Sequence, residues 1–115
     1  MKEHVYKYEL LPEKSDTALV RLGTHALGGK DAMNFTSLLN EIGKTDIKYV
    51  IADLTEIQVI NSSGLGMLVS GLSTLKKYNI ELVLTGLPKK VADIMLITRL
   101  DTIFKIYDTV EKASR

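Results

Sequence analysis

The sequence contains no cysteine. Disulfide scaffolds, cysteine metal sites and thiol catalysis are therefore excluded, and the absence fits a reducing cytosol. No sign of charge dominates either. Lys and Arg total 15 against 14 Asp and Glu, for a formal net charge of +1. Binding nucleic acid by phosphate neutralisation needs a basic surface, so direct nucleic-acid binding is not expected. Histidine is scarce, with His4 and His25 alone, and a zinc site lacks ligands. Met1-Lys2-Glu3-His4-Val5 has no apolar core of a signal peptide. No stretch approaches the roughly 20 apolar residues that cross a bilayer. These absences describe a cytoplasmic domain without membrane insertion, metal or cofactor.

What is present suits one globular domain spanning 1–115. The chain has 115 residues, 45% of them hydrophobic, enough for a single core. Val5 to Leu10 alternates with period two and reads as an edge strand. Pro12 to Asp16 is turn-like, and Thr17 to Leu22 reads as a second strand close enough to pair with the first. Gly23 to Asp31 reads as a loop. Ala32, Phe35, Leu38, Leu39 and Ile42 then recur at helical spacing, with Gly43 as a stop. Tyr49-Val50-Ile51-Ala52-Asp53-Leu54 is the near-continuous apolar run of a strand buried on both faces.

A second helix is expected after Asn61, capped by Ser62 or Ser63. Its expected core stripe is Leu65, Leu68, Val69, Leu72 and Leu75, and Asn79 ends it. Ile80 to Thr85 reads as a strand and Gly86 as a turn. A third helix runs from Pro88 to Thr98, with Val91, Ile94 and Met95 inward. Ile103 to Tyr107 reads as a last strand, and Thr109 to Ser114 as a closing helix. The order is β-β-α-β-α-β-α-β-α. Such alternation implies an α/β fold with a mixed, mostly parallel sheet of four to five strands and crossover helices.

In such sheets, sites form where strands lead into helices. Gly23-Thr24-His25-Ala26-Leu27-Gly28-Gly29-Lys30-Asp31 has a distant likeness to a phosphate-binding loop, with Asp53 as a remote metal-binding carboxylate. The spacing fails: Gly29 stands where the lysine belongs, and Asp31 follows Lys30 where a hydroxyl is needed. Asp31 reads instead as a carboxylate placed near a helix start. Asn61-Ser62-Ser63-Gly64-Leu65-Gly66 is richer. Its serines sit at a helix N-terminus, where amides lack intrahelical partners and the helix dipole favours an anion. Gly66 and Gly71 each cost about 1 kcal/mol relative to alanine inside a helix. Gly64, Met67 and Gly71, with Ser70 and Thr74, fall off the leucine stripe and read as an outward docking face. Serine catalysis is not supported. The G-x-S-x-G elbow is absent, and nothing in the sequence ties His25, Asp53 or Asp93 to either serine.

The run Val50-Ile51-Ala52-Asp53-Leu54-Thr55, then Val59-Ile60-Asn61-Ser62-Ser63-Gly64-Leu65-Gly66-Met67-Leu68-Val69, resembles the STAS domain of anti-sigma-factor antagonists. That family carries a strand, a short polar stretch and then D-S-S-G-L-G opening a helix. Gly86-Leu87-Pro88-Lys89-Lys90-Val91, Ile97 to Asp101 and Ile103 to Tyr107 resemble its third helix and last strand. The resemblance implies a binding protein without catalytic residues. Its partner would be an anti-sigma factor that is also a serine kinase, bound when the antagonist is unphosphorylated. The kinase would phosphorylate the first serine of the pair, here Ser62, and a serine phosphatase would reverse it. Asn61, Ser63, Gly64, Leu65, Met67 and Gly71 are the expected partner-binding residues. Two positions depart from the pattern. Asn61 replaces the family's aspartate, and Gly23-Thr24-His25-Ala26 replaces an acidic G-E-L-D-like loop. A second reading is a STAS scaffold without a switch, in a signalling assembly or beside a transporter.

Overall fold

Period-two alternation becomes a sheet with two different faces. In a computed structural model, which describes residues 6–114, five strands form the main sheet. They are β1 (Tyr8–Leu11), β2 (Lys14–Arg21), β4 (Tyr49–Asp53), β6 (Glu81–Thr85) and β7 (Lys105–Tyr107), in spatial order β1-β2-β4-β6-β7. β1 runs antiparallel to β2, and every other pairing is parallel. The hairpin turns at Pro12-Glu13, where Glu13 takes a positive φ of 64°. The expected start of the first strand, Val5, lies outside the described residues.

Even and odd positions on the central strands serve separate cores. Ala18, Val20, Val50, Ala52, Leu82 and Leu84 face the larger one. It is covered by α1 (Lys30–Gly43), α2 (Ser62–Lys76) and α3 (Lys89–Ile97). Leu19, Tyr49, Ile51 and Val83 face the smaller one, together with Ala113 of α4 (Val110–Ala113). The buried Tyr49 hydroxyl donates to the Ala113 carbonyl at 2.7 Å and ties α4 to the sheet. A buried hydroxyl needs such a partner.

The helices match the apolar spacing, with instructive differences. Phe35, Leu38, Leu39 and Ile42 are buried on α1 as expected. Val91 and Met95 are buried on α3, while Ile94 is only half-buried. Gly43 is not a left-handed stop. It is the last residue of α1, and a Cβ there would overlap the Tyr78 ring, so its role is to admit that ring. Asn79 does end α2, in a left-handed conformation with φ 61°. Ile80 N donates to Leu75 O and Asn79 N to Lys76 O, each at 3.0 Å. This pair of bonds is the Schellman motif, which satisfies the last carbonyls.

On α2 the buried arc is wider than the leucine stripe. Leu68 and Leu75 are fully buried, Leu65, Val69 and Leu72 partly. Met67, 4% exposed, and Gly71 are buried as well. The expectation that Met67 and Gly71 face outward is thus corrected. α2 packs against α1 as well as the sheet, and a Cβ on Gly71 would lie 2.7 Å from Phe35 Cε2 and 2.9 Å from Leu39 Cδ1.

Two predictions follow from this core. Gly71→Ala should destabilise the protein by about 1–3 kcal/mol, the usual cost of overpacking, read from the urea midpoint. The Phe35 ring cannot yield, because it is fully buried and packed edge-on against Tyr6 at 5.8 Å. Burial, aided by the Asp31 carboxylate, pushes the Tyr6 phenol up to about 12. The native state therefore holds that proton to higher pH than the unfolded chain, and stability falls as pH rises from about 10 to about 12. Tyr6→Phe should lose this component of the alkaline destabilisation, measured by urea unfolding across that range.

Candidate functional site

The serine turn is built by three backbone segments meeting where side chains are absent. β4 ends at Asp53, whose Oδ1 accepts from Thr55 N at 3.0 Å and so bends the chain. The chain then forms a short strand, β5 (Val59–Ile60). β5 pairs in parallel with β3 (His25–Ala26), His25 opposite Val59 and Ala26 opposite Ile60. In the sequence 23–31 reads as a loop and 55–60 as a connection, yet the two segments join as a ribbon. Two-residue strands carry too little periodicity to announce themselves. The only local signal was the apolar pair Val59-Ile60.

Asn61 sits between β5 and α2 in an extended conformation, with φ −122° and ψ −177°. Its carboxamide Oδ1 accepts from Gly64 N at 2.8 Å, and its carbonyl accepts from Leu65 N at 3.0 Å. Asn61 is therefore the N-cap, in place of the expected Ser62 or Ser63. Asparagine ranks with serine and aspartate as a cap, so the change from the family's aspartate keeps the geometry and loses the charge. Ser62 and Ser63 become the first two helical residues and are both exposed. Their amides precede the first intrahelical bond and sit at the positive end of the dipole.

Glycines hold the turn in place. A Cβ on Gly64 would overlap the Ala26 carbonyl. Gly28, at φ +81°, approaches so closely that a Cβ would lie 2.5 Å from Ser63 Cβ. Gly64 is buried by this contact, so it too is corrected from an outward to an inward position. The exposed surface of the helix start consists of Asn61, Ser62, Ser63, Gly66 and Ser70, with Leu65 half-buried beside it.

The other residues named for chemistry do not converge on the serines. His25 Nδ1 lies 2.7 Å from Thr24 Oγ1. Asp93 pairs with Lys89 at 3.0 Å. Asp53 is engaged by Thr55 and stands 3.9 Å from Arg21. Asp31 Oδ2 accepts from Leu27 N at 3.0 Å. Among the described residues, no group of three His, Cys, Asp or Glu side chains is placed to hold a metal. A cavity of about 460 Å³ above β4, β6 and β7 is lined by Asp53, Thr85 and Asp108, and neither serine borders it. Among the described residues, no helix is long and apolar enough to cross a membrane.

The two glycines of the turn separate predictably. Gly64→Ala should cost about 3 kcal/mol or more, the upper range for overpacking, because the clash is with backbone. Gly66→Ala meets nothing within 4 Å and should stabilise by up to about 1 kcal/mol through helix propensity. Thermal unfolding of the two variants checks both signs.

Known structures share this architecture. A Thermotoga maritima protein assigned as an anti-sigma factor antagonist aligns over 94% of this chain and 90% of its own, with 24% identity and a TM-score of 0.73. The phosphorylated form of SpoIIAA, a Bacillus cell-fate determinant, aligns over 95% of this chain and 96% of its own at 14% identity and TM-score 0.69. Murine Slc26a9, an anion transporter, aligns over 85% of this chain and 17% of its own at 12% identity and TM-score 0.72. At these identities the likeness is one of fold. The STAS domain pattern itself matches residues 12–113, which is nearly the whole chain, and the chain belongs to the STAS domain family.

Proposed function

We propose that this chain is an anti-sigma-factor antagonist, acting in the cytoplasm as a binding module rather than an enzyme. Unphosphorylated, it binds an anti-sigma factor that is also a serine kinase. Phosphorylation of Ser62 switches it off, and a serine phosphatase restores it. The observation that carries this reading is the exposed Ser62 hydroxyl at the start of α2, left available because Asn61 performs the capping. A phosphate there adds roughly −1.5 to −2 charge. This domain tolerates it, since the helix start favours an anion. The partner does not, because closing the interface would desolvate that charge. Asn61, Ser63 and Leu65 border Ser62 and complete the contact. Gly64, Met67 and Gly71 act beneath it, by setting how closely α2 approaches β3 and α1.

A second reading is a STAS scaffold that binds without switching. Asn61 favours it, because the turn lacks the carboxylate of the family pattern. The same fold occurs within a murine anion transporter, which supports a reading outside sigma-factor control.

Labelled ATP and each serine-kinase-type anti-sigma factor of the source genome decide between them. Under the first reading, one kinase labels the wild type and not Ser62→Ala. Label persisting in Ser62→Ala removes the site assignment. A complex that forms without any labelling favours the scaffold. Ser62→Asp should fold with an unchanged melting temperature and bind the kinase at least about tenfold more weakly, the scale of about 1.4 kcal/mol for one buried unpaired charge.

A further inference from the structure

One edge of the main sheet is open. β7 stands last in the spatial order, and among the described residues no strand pairs with its outer side. Tyr107 O accepts from Gly86 N at 3.3 Å, so the backbone groups of Tyr107 point toward β6. Backbone direction alternates along a strand. Lys105 therefore shares the direction of Tyr107, and the N–H and C=O of Ile106 point outward from the sheet.

The side chains beside this edge are apolar. Ile106 stands level with Leu84 and lies on the face of the larger core. It is 38% exposed and lines a cavity of about 300 Å³ with Ala92, Met95 and Leu96 of α3. Leu96 is 62% exposed, and Ile103, just before β7, is 51% exposed. Single exposed apolar residues are ordinary, whereas a cluster marks a contact surface. An open edge is usually guarded by charge, lysine above all. Lys105 guards this one poorly, because its ammonium is drawn back to Glu81 of β6 at 2.9 Å.

We propose that β7 pairs antiparallel with β7 of a second copy of this chain, across a two-fold axis beside Ile106. Two identical residues facing across such an axis exchange both of their N–H···O bonds, so the outward donor and acceptor of Ile106 are satisfied together. The order of charges selects a second copy in this direction. Lys105 precedes Ile106, and Asp108 follows it. Antiparallel self-pairing sets Lys105 opposite Tyr107 of the other copy, beside that copy's Asp108, at both ends of the contact. Parallel self-pairing would set like charges side by side. The same rotation puts both Ile106 side chains on the helix-covered face, with Leu96 of each copy flanking them. The contact is small, since a standard interface covers about 800 Å² per copy. The dimer therefore forms at high concentration and reverses on dilution. It does not depend on the reading of Ser62.

Sedimentation velocity of the full chain between about 10 μM and about 1 mM tests this. The apparent mass should rise with concentration toward twice that of the monomer. Amide exchange followed by NMR locates the contact. The Ile106 N–H should slow in proportion to the fraction dimerised, while those of Lys105 and Tyr107, bonded within the sheet, should not change. Ile106→Lys and Ile106→Glu should each stay monomeric, because each sets like charges face to face. Mixed in equal amounts, they should recover the dimer. Met33→Asp, on α1 at 69% exposure, should dimerise as the wild type does. A wild type that stays monomeric to about 1 mM overturns the proposal. So does a dimer in which Ile106 exchange is independent of concentration, or one that survives Ile106→Lys. A mixture of the two charged variants that stays monomeric overturns the two-fold register. The exchange measurement uses the wild type, so it decides even where an Ile106 variant unfolds.

Discussion

The position of the serine turn depends on the contact between Gly64 and the Ala26 carbonyl. Only a residue without Cβ lets the first turn of α2 rest directly on the backbone of β3. That contact fixes the helix start relative to the ribbon, and Gly28 fixes the ribbon relative to Ser63 from the other side. Because the contact is made by backbone, few rotamers can blur it. Ser62 is thus mounted on rigid parts although it lies at an exposed turn.

Exposure at one end of α2 and burial along the rest follow from the same packing. The helix lies between the sheet and α1, so Met67, Leu68, Gly71 and Leu75 are all taken into the core. The small residues do not mark a free face. They allow α1 and α2 to approach until Phe35 and Leu39 fill the space at Gly71. What remains outside is a narrow strip of serines and Gly66, which widens into the apolar ribbon face at Leu27 and Val59.

Asn61 shows how one substitution separates two roles that aspartate combines. Its carboxamide caps α2 through Gly64 N, so the fold keeps its helix start. The missing carboxylate removes a charge without removing the cap. The turn thus carries one carboxylate fewer than the family pattern, with its cap intact. Shape and charge at this turn are thus independently adjustable, which is how one family fold can serve different partners.

The sequence by itself determined the α/β class, the order of the main-sheet strands and their helices, the parallel run through β4 and β6, and the serine turn at a helix start. These rest on periodicity over five or more residues and on local cap chemistry, which neighbours in the chain carry. The tertiary structure alone decided which serine-turn residue caps, which face of α2 is free, and that 23–31 and 55–60 join as a ribbon. The β3–β5 pairing links residues 34 apart through two residues on each side, too few to leave a period. Gly43, Gly64 and Gly71 carry the same letter for a ring contact, a backbone junction and a helix-packing site, and only the atom facing each missing Cβ distinguishes them.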